Sequence, residues 1–349
     1  MERKVTRQIT VGNIAVGGGS PVSIQSMLNT HNGDIAAALE QTRRLKDAGC
    51  EIVRLAVTDE ESVKVVSELK RSVDIPLVAD IQFDYRLALA AIEAGIDKVR
   101  LNPGNIGSDE RVREVVRKAQ SYRVPIRIGV NTGSISLSIL EKYHGPCAQG
   151  LVDEAMRHVK ILNDNQFEDI VISLKASSVP MMLESYRLIS SMVNYPLHLG
   201  VTEAGTVYQG TVKSAIGIGA LLSEGIGDNI RVSLTADPVE EIRAAKEILS
   251  ALQLRSFGPK MVSCPTCSRC SVNLIAIANE VEKRLQTVQK EIKVAVMGCV
   301  VNGPGEAKDA DIGITGANGE GLIFKNGKIL KRVPENAIID ALFEEIDKL

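Results

Sequence analysis

The 349-residue chain has no tryptophan, and aromatic residues make up only 3% of it. Stacking of bases on aromatic rings, a common way to hold single-stranded nucleic acid, is therefore poorly provided for. A formal net charge of −2 gives no general attraction to nucleic acid or to an anionic membrane. No apolar run reaches bilayer-spanning length. The N-terminus, Met1-Glu-Arg-Lys-Val-Thr-Arg-Gln8, is polar and lacks the apolar core of a secretory signal. A cytoplasmic protein with no nucleic-acid or membrane partner is expected. The four histidines, His31, His144, His158 and His198, show no metal-ligand spacing. The six cysteines of so long a chain read as metal ligands or buried thiols, not as disulfides.

What is present begins with 44% apolar residues, enough for one large and one small core. Over residues 20 to 236 a short β-branched run alternates with an amphipathic helical stretch. Strands are expected at Val22–Ser26, Ile52–Val57, Pro76–Ile81, Lys98–Asn102, Ile126–Asn131, Asp169–Ser173, Leu197–Val201 and Asn229–Leu234. Eight β/α units predict a (β/α)8 TIM-type barrel over residues 1–256. A doubly wound sheet is the alternative, but no G-x-G-x-x-G follows the first strand. The Gly17-Gly18-Gly19 run reads as the turn of an N-terminal hairpin over Thr6–Val16, placed to plug the bottom of a barrel. Past the linker at Leu254–Pro259 the order of elements changes, which predicts a small α+β domain over residues 259–349.

Several barrel strands carry a basic residue inside an apolar run: Arg54, Arg100, Arg127, Lys175 and Arg231. A buried guanidinium is costly unless an anion or a carboxylate meets it. Strand C-terminal ends line the active site of such barrels, so these residues predict a cationic cup for a small anionic substrate carrying phosphate. The plainer reading pairs each with a local acid such as Asp80, Asp97, Glu203 or Asp237. His198 is the one histidine placed for the mouth. Gly104-Asn-Ile-Gly107 and Asn131-Thr-Gly-Ser134 are Gly-rich loops suited to phosphate.

The C-terminal domain carries Cys264-Pro-Thr-Cys267 and Cys299-Val-Val-Asn-Gly-Pro-Gly-Glu306, a C-x2-C-x31-C-x6-E pattern. Three thiolates and one carboxylate suit neither a structural zinc site, which closes with four Cys or His, nor an electron-transfer cluster with four thiolates. One hard ligand among soft ones leaves a corner open to substrate. The Asn302–Gly305 turn would lay backbone N–H groups against the centre. Cys270 makes a C-x2-C-x2-C run and competes with Cys299 or Glu306 for a place in the ligand set, and zinc is possible on spacing alone.

The chain resembles the 4-hydroxy-3-methylbut-2-enyl diphosphate synthases, the reductive iron–sulfur enzymes of the non-mevalonate isoprenoid pathway. The likeness rests on Val22-Ser-Ile-Gln-Ser-Met27, Arg100-Leu-Asn-Pro-Gly-Asn105, Ile128-Gly-Val-Asn131, His198-Leu-Gly-Val-Thr-Glu-Ala-Gly205, Ser263-Cys-Pro-Thr-Cys267 and Gly298-Cys-Val-Val-Asn-Gly-Pro-Gly-Glu306. It spans nearly the whole chain and matches the short bacterial form. It implies a [4Fe–4S] cluster on Cys264, Cys267, Cys299 and Glu306, with Cys270 a neighbour. It implies 2-C-methyl-D-erythritol 2,4-cyclodiphosphate as substrate, reduced flavodoxin or ferredoxin as electron donor, and a head-to-tail homodimer. The diphosphate would lie among Arg54, Arg100, Arg127, Lys175 and Arg231, with Asn102, Asn131, His198 and Ser233 beside them. Glu203 would give a proton and Glu306 would hold the reacting iron loosely. The rival readings are a dihydropteroate-synthase-type transferase with a zinc appendix, and a non-catalytic redox or RNA-binding module.

Overall fold

The structure, a computed structural model, describes residues 2–102, 106, 108–300, 307–317 and 320–349. Two compact units divide the chain, Met1–Arg255 and Ser256–Leu349.

The first unit opens with an antiparallel hairpin of β1 (Ile9–Val11) and β2 (Ile14–Val16). Its two-residue loop is Gly12-Asn13, and Gly12 takes φ +58°, as a glycine leading such a loop does. The turn expected at Gly17–Gly19 is therefore misplaced by the sequence reading. Those glycines follow the hairpin, all at positive φ, and a Cβ on Gly17 would stand 2.4 Å from the Arg7 carbonyl oxygen. They bring the chain from the hairpin into the barrel.

Eight parallel strands follow: β3 (Ser23–Met27), β4 (Ile52–Val57), β5 (Leu77–Ile81), β6 (Lys98–Leu101), β7 (Ile126–Asn131), β8 (Ile170–Lys175), β9 (His198–Leu199) and β10 (Asn229–Ile230). They lie in the order β8-β7-β6-β5-β4-β3-β10-β9. A parallel bridge between Ile172 and Leu197 joins the two ends and closes the barrel. Around it run α1 (Ile35–Asp47), α2 (Glu60–Ser72), α3 (Tyr85–Glu93), α4 (Asp109–Tyr122), α5 (Leu137–Tyr143), α6 (Ala148–Asp164), α7 (Val179–Met192), α8 (Val207–Ser223) and α9 (Pro238–Ala251). Polar caps start several of them. Asp59 and Ser62 form a reciprocal capping box on α2, and Asp237 caps α9 just before Pro238.

Strands β9 and β10 are shorter than the runs 197–201 and 229–234 suggest, and side chains explain part of this. The Tyr186 hydroxyl of α7 stands between β8 and β9, accepting the Leu174 N–H (3.0 Å) and donating to the His198 carbonyl (2.5 Å). It replaces a ladder bond at the seam. Beyond β10, the Glu241 carboxylate takes the Leu234 N–H (3.1 Å).

Alternation along each strand sends one set of side chains outward to the helices and one set inward. The outward set is mostly apolar: Ile24, Val53, Leu55, Leu77, Ala79, Val99, Ile126, Ile128, Ile170 and Ile172 are all buried, and Ser26 bonds Glu241 on α9. The inward set is layered. At the N-terminal end of the strands Ile52, Val78 and Val171 pack on Ile9, Val11 and Val16, so the hairpin forms an apolar floor. Above that floor the interior is polar.

In the second unit, β11 (Lys260–Ser263), β12 (Lys293–Met297) and β13 (Ile312–Ala317) are parallel neighbours. Antiparallel β14 (Glu320–Lys325) and β15 (Lys328–Pro334) complete the sheet. Strand β11 has no counterpart in the sequence reading, which assigned no element between the linker ending at Pro259 and Cys264. It is short and largely exposed, so it lacks the apolar run that marks a buried strand. Helices α10 (Leu274–Leu285) and α11 (Ile338–Asp347) cover one face. Leu274, Ile277, Val281 and Leu285 make the i, i+3, i+7 stripe that meets Val294, Val296, Ile312, Ile314 and Ile323. The alternate residues Ala295 and Met297 face the other way, onto Ala307, Ala310 and Phe324.

Candidate active site

The C-terminal ends of the barrel strands bring together the basic residues that the sequence singled out, and supply some of them with acids. Asp80, inward on β5, receives Arg100 Nη1 at 2.9 Å and faces Arg54 Nε at 3.7 Å. Arg231, beyond β10, meets both oxygens of Glu241 on α9, at 3.1 and 3.3 Å. The plainer pairing is thus right for Asp80, whereas Arg231 finds Glu241, an acid that reading did not name, and Asp97 is taken by Lys70 and Asp237 by Arg44. Arg54 and Arg231 also point their guanidiniums at the Met27 sulfur, Arg54 at 2.8 and 3.1 Å.

Positive charge remains in excess. Arg127 is 1% exposed, and its Nε and Nη2 have no hydrogen-bond partner. Arg100 Nε is also unpartnered. Lys175 ends β8 at 7% exposure. Burial, followed by Arg231, Arg54 and Arg127, pushes its ammonium well below the usual lysine range. Burial pulls Arg54 down to about 10; Asp80 opposes this, and Arg231 and Arg100 add to it. Burial alone would raise the Asp80 carboxyl, but Arg54, Arg100 and Arg127 outweigh it and hold the group below its ordinary value. For Lys175 and Arg54 burial leads and the neighbouring cations add to it, and the same crowding of cations overrides burial at Asp80.

Two glycines make the crowding possible. A Cβ on Gly129 would lie 2.5 Å from Arg100 Nε, and one on Gly200 would lie 2.7 Å from the Arg231 carbonyl oxygen and 2.9 Å from Lys175 Nζ. They belong to the motifs Ile128-Gly-Val-Asn131 and His198-Leu-Gly-Val, and the missing Cβ leaves room for Arg100 at the first and for both the neighbouring strand backbone and Lys175 at the second.

His198 is fully buried, its Nδ1 paired with Asn229 Oδ1 and its Nε2 unpartnered. Burial, then Arg127, Lys175 and Lys98, depress its pKa strongly, so the imidazole is neutral. Asn102 is buried next to the end of β6. Asn131 ends β7, half-buried, where the Ser134 hydroxyl bridges its N–H and C=O at 2.9 Å each. Ser233 is half-buried beyond β10. Glu203 is exposed at the mouth with φ +52°. Most other non-glycine residues at positive φ end a helix or turn a hairpin; Glu203 does neither, so its backbone is held in a costly conformation just past a barrel strand. No ion pair to Glu203 occurs among the described residues. Of the Gly-rich loops, Gly104, Asn105 and Gly107 lie outside the described residues.

Sequence reasoning missed two inward strand residues and one helix acid that reaches Arg231. Lys98 looks like the surface start of a strand, Gln25 like an ordinary strand polar residue, and Glu241 like a first-turn helix acid. The signal for Lys98 was its spacing, two residues before Arg100 and hence on the same face.

In the second unit, parallel pairing brings two thiols to one sheet edge. Cys264 follows β11 and Cys299 lies two residues past β12, with Ser263 opposite Val296. The Cys264 N–H meets the Val296 carbonyl (3.3 Å), and the Gly298 N–H points at Cys264 Sγ (3.2 Å). The Cys267–Cys270 turn closes beside them, its Ser271 N–H on the Gly298 carbonyl (3.2 Å). Cys267 is exposed, and backbone N–H groups, led by that of Arg269, lower its thiol pKa. Cys270 instead directs its S–H to the Val272 carbonyl (3.2 Å). Cys299 is buried. Among the described residues no three His, Cys, Asp or Glu side chains are gathered as a metal set. Glu306 and the Asn302–Gly305 turn lie outside the described residues. The donors that are described fit a sulfur-bound cluster: soft thiols at one edge, a backbone N–H on sulfur, and a thiol whose proton is easily lost.

The GcpE TIM-barrel domain model matches residues 6–246, and the GcpE protein C-terminal domain model matches residues 260–348. The chain belongs to the GcpE family. Curated relatives match over nearly their whole length. The chain is 58% identical over 349 residues to the 4-hydroxy-3-methylbut-2-en-1-yl diphosphate synthase (flavodoxin) of Clostridium acetobutylicum, covering 100% of both chains. It is 55% identical over 344 residues to the synthase of the same name from Geobacter sulfurreducens, covering 99% and 98%. Among solved structures, a dihydropteroate synthase from Coxiella burnetii covers 72% of this chain and 99% of its own, at 12% identity and a TM-score of 0.50. That likeness concerns the barrel fold alone. Among the described residues of this GcpE chain, no helix is long and apolar enough to cross a membrane.

Proposed function

We propose that this chain is a 4-hydroxy-3-methylbut-2-en-1-yl diphosphate synthase, an iron–sulfur oxidoreductase of isoprenoid biosynthesis. The observation that carries the reading is identity above one half along the full length of synthases of that name, with both halves of the chemistry present. The substrate is 2-C-methyl-D-erythritol 2,4-cyclodiphosphate. Two electrons enter, the ring C–O bond to phosphate breaks, and the C3 hydroxyl leaves as water with the help of protons.

The barrel residues bind and orient. Arg127, Lys175, Arg100, Arg54 and Arg231 meet the diphosphate oxygens, with Asn102, Asn131 and Ser233 completing the hydrogen bonds and His198 as a neutral imidazole beneath. Charge-assisted bonds of this kind fix the ring so that one carbon faces outward. Glu203 is the residue at the mouth placed to pass a proton from solvent to the departing hydroxyl. Cys264, Cys267, Cys299 and Glu306 would hold a [4Fe–4S] cluster, with Cys270 bound to backbone and outside the set. When bound, the cluster supplies electrons singly and a Lewis-acidic iron. Reduced flavodoxin is the donor that the relatives' names support, and ferredoxin is chemically equivalent. The reading includes a head-to-tail homodimer in which each barrel mouth meets the partner's cysteine edge.

Anaerobic purification with iron and sulfide analysis, followed by turnover with reduced flavodoxin, tests the reading. About four iron and four sulfide per chain are expected. A colourless zinc protein that cannot consume the cyclodiphosphate would refute it. Mixing two inactive variants, R127A and C264S, should restore part of the activity, because a mixed dimer holds one intact site. No recovery after subunit exchange would remove the dimer from the reading.

A further inference from the structure

Below the ring of cations lies a second set of inward side chains that the substrate reading does not use. Lys98 opens β6, two residues before Arg100 on the same face. It is 0% exposed and its Nζ has no hydrogen-bond partner. Gln25 sits on β3 between Ser23, which receives Asn229 Nδ2, and Met27, which faces Arg54, so it too points inward. Gln25 is 1% exposed, and neither its Nε2 nor its Oε1 is bonded. With Arg127 Nε and Nη2, Arg100 Nε and His198 Nε2, these make a buried set rich in donors and poor in acceptors. Both oxygens of the one acid on the strands, Asp80, already face Arg100 and Arg54.

The charge balance is one-sided. Arg54 of β4, Lys98 and Arg100 of β6, Arg127 of β7, Lys175 of β8 and Arg231 past β10 face inward with Asp80 of β5, while Glu241 of α9 reaches Arg231 from outside. His198 of β9 is neutral, and β3 contributes only Ser23, Gln25 and Met27. From below come Ile9, Val11 and Val16 of the hairpin, with no polar group. Buried polar groups are normally paired, and an unpaired one costs free energy. A set of unpaired donors of this kind is completed by an anion better than by water, which must also donate.

We propose that Lys98 forms the inner wall of the anion site and takes up a proton as the diphosphate binds. The inference rests on the function proposed above. Before binding, burial next to Arg127 and Arg54 disfavours the ammonium. Two phosphate charges arriving above it reverse the local potential, and the ammonium becomes the favoured form. The proton comes from solvent, and the lysine Nζ lone pair accepts it. No covalent bond to the ligand forms or breaks.

The test is calorimetric titration of the holoenzyme with 2-C-methyl-D-erythritol 2,4-cyclodiphosphate, without reductant, at pH 7.5 in buffers of different ionisation enthalpy. Both phosphate hydroxyls of this ligand are strongly acidic, so it brings no titration of its own. The wild type should take up close to one proton. K98M should lose that uptake and bind about ten- to a hundredfold more weakly, the factor of one charged hydrogen bond. Its melting temperature should hold or rise, because an unpartnered buried group is replaced by an apolar one of similar shape. K98R, charged throughout, should bind with no uptake. Unchanged affinity and proton count in K98M would overturn the proposal and make Lys98 a structural post. So would a wild type that binds without taking up a proton, or an uptake that survives in K98M and vanishes in Lys175→Met. A wild type that does not bind the ligand at all would refute the reading of the cup itself.

Discussion

Asp80→Asn isolates the counter-charge of the cup. The carboxylate is buried, 2.9 Å from Arg100 and 3.7 Å from Arg54. Removing one partner of a buried ion pair costs about 3–5 kcal/mol, because the other charge stays buried and unanswered. For a unit the size of the barrel, about 2 °C per kcal/mol gives a fall of roughly 6–10 °C in melting temperature at pH 7. The pH dependence has a definite sign. The Asp80 carboxyl is held below its ordinary value, so the stability it contributes is present above the unfolded carboxyl pKa of about 4 and is lost as pH falls through its lower folded value. Wild type and Asp80→Asn should therefore begin to converge as pH falls below about 4 and meet only below the folded value. A bound ligand stabilises by about 2.7 kcal/mol at a hundred times its Kd. The cyclodiphosphate should stabilise Asp80→Asn more than the wild type at the same concentration, since its phosphates replace the lost carboxylate. Thermal unfolding followed by circular dichroism, with and without the ligand, measures all three. A variant within a degree of wild type at pH 7, or one that gains no more from the ligand, would refute the electrostatic account of the cup.

Tyr186→Phe leaves the Leu174 N–H and the His198 carbonyl without their bridge and should cost about 1–3 kcal/mol of barrel stability, read from urea unfolding; an unchanged midpoint would mean that the seam closes without the phenol. Gly129→Ala puts a methyl 2.5 Å from Arg100 Nε and should raise KM for the cyclodiphosphate more than it lowers the melting temperature. Unaltered kinetics would place Arg100 outside the substrate contacts. Cys270→Ser should keep its full iron content after anaerobic purification, whereas Cys264→Ser should lose most of it; the reverse result would exchange their roles.

What the sequence revealed of the site followed from contrast. An arginine inside Ile-Val-Arg-Leu or Ile-Arg-Ile-Gly breaks an apolar run, and strand periodicity then assigns it a face. Its partner acid leaves no such mark. Asp80 belongs to another strand twenty residues from Arg100, and Glu241 sits in the first turn of a helix, where an acid is ordinary. Local pattern therefore found the cations and could not say which were already answered. The turn of the hairpin failed for a related reason. Three consecutive glycines outweighed a single Gly12, although a two-residue hairpin loop needs only one leading glycine.

The layering of the barrel interior links fold to chemistry more closely than any single residue does. A parallel barrel fills its interior with side chains from alternate positions, and apolar filling would make the molecule more stable. Here only the floor is apolar, supplied by Ile52, Val78 and Val171 against the hairpin. The layers above carry Lys98, Arg127, Lys175 and Arg100, with unpaired atoms on three of the four. Glycines at 129 and 200 are too small to fill that space and leave it to guanidinium and ammonium groups. The hairpin and the outward apolar faces hold the strands in register while the inward face stays incompletely neutralised. Stability and anion binding are thus assigned to opposite faces of the same strands, which is why removing a cation such as Lys98 should strengthen the fold while weakening the site, and removing the acid Asp80 should do the reverse.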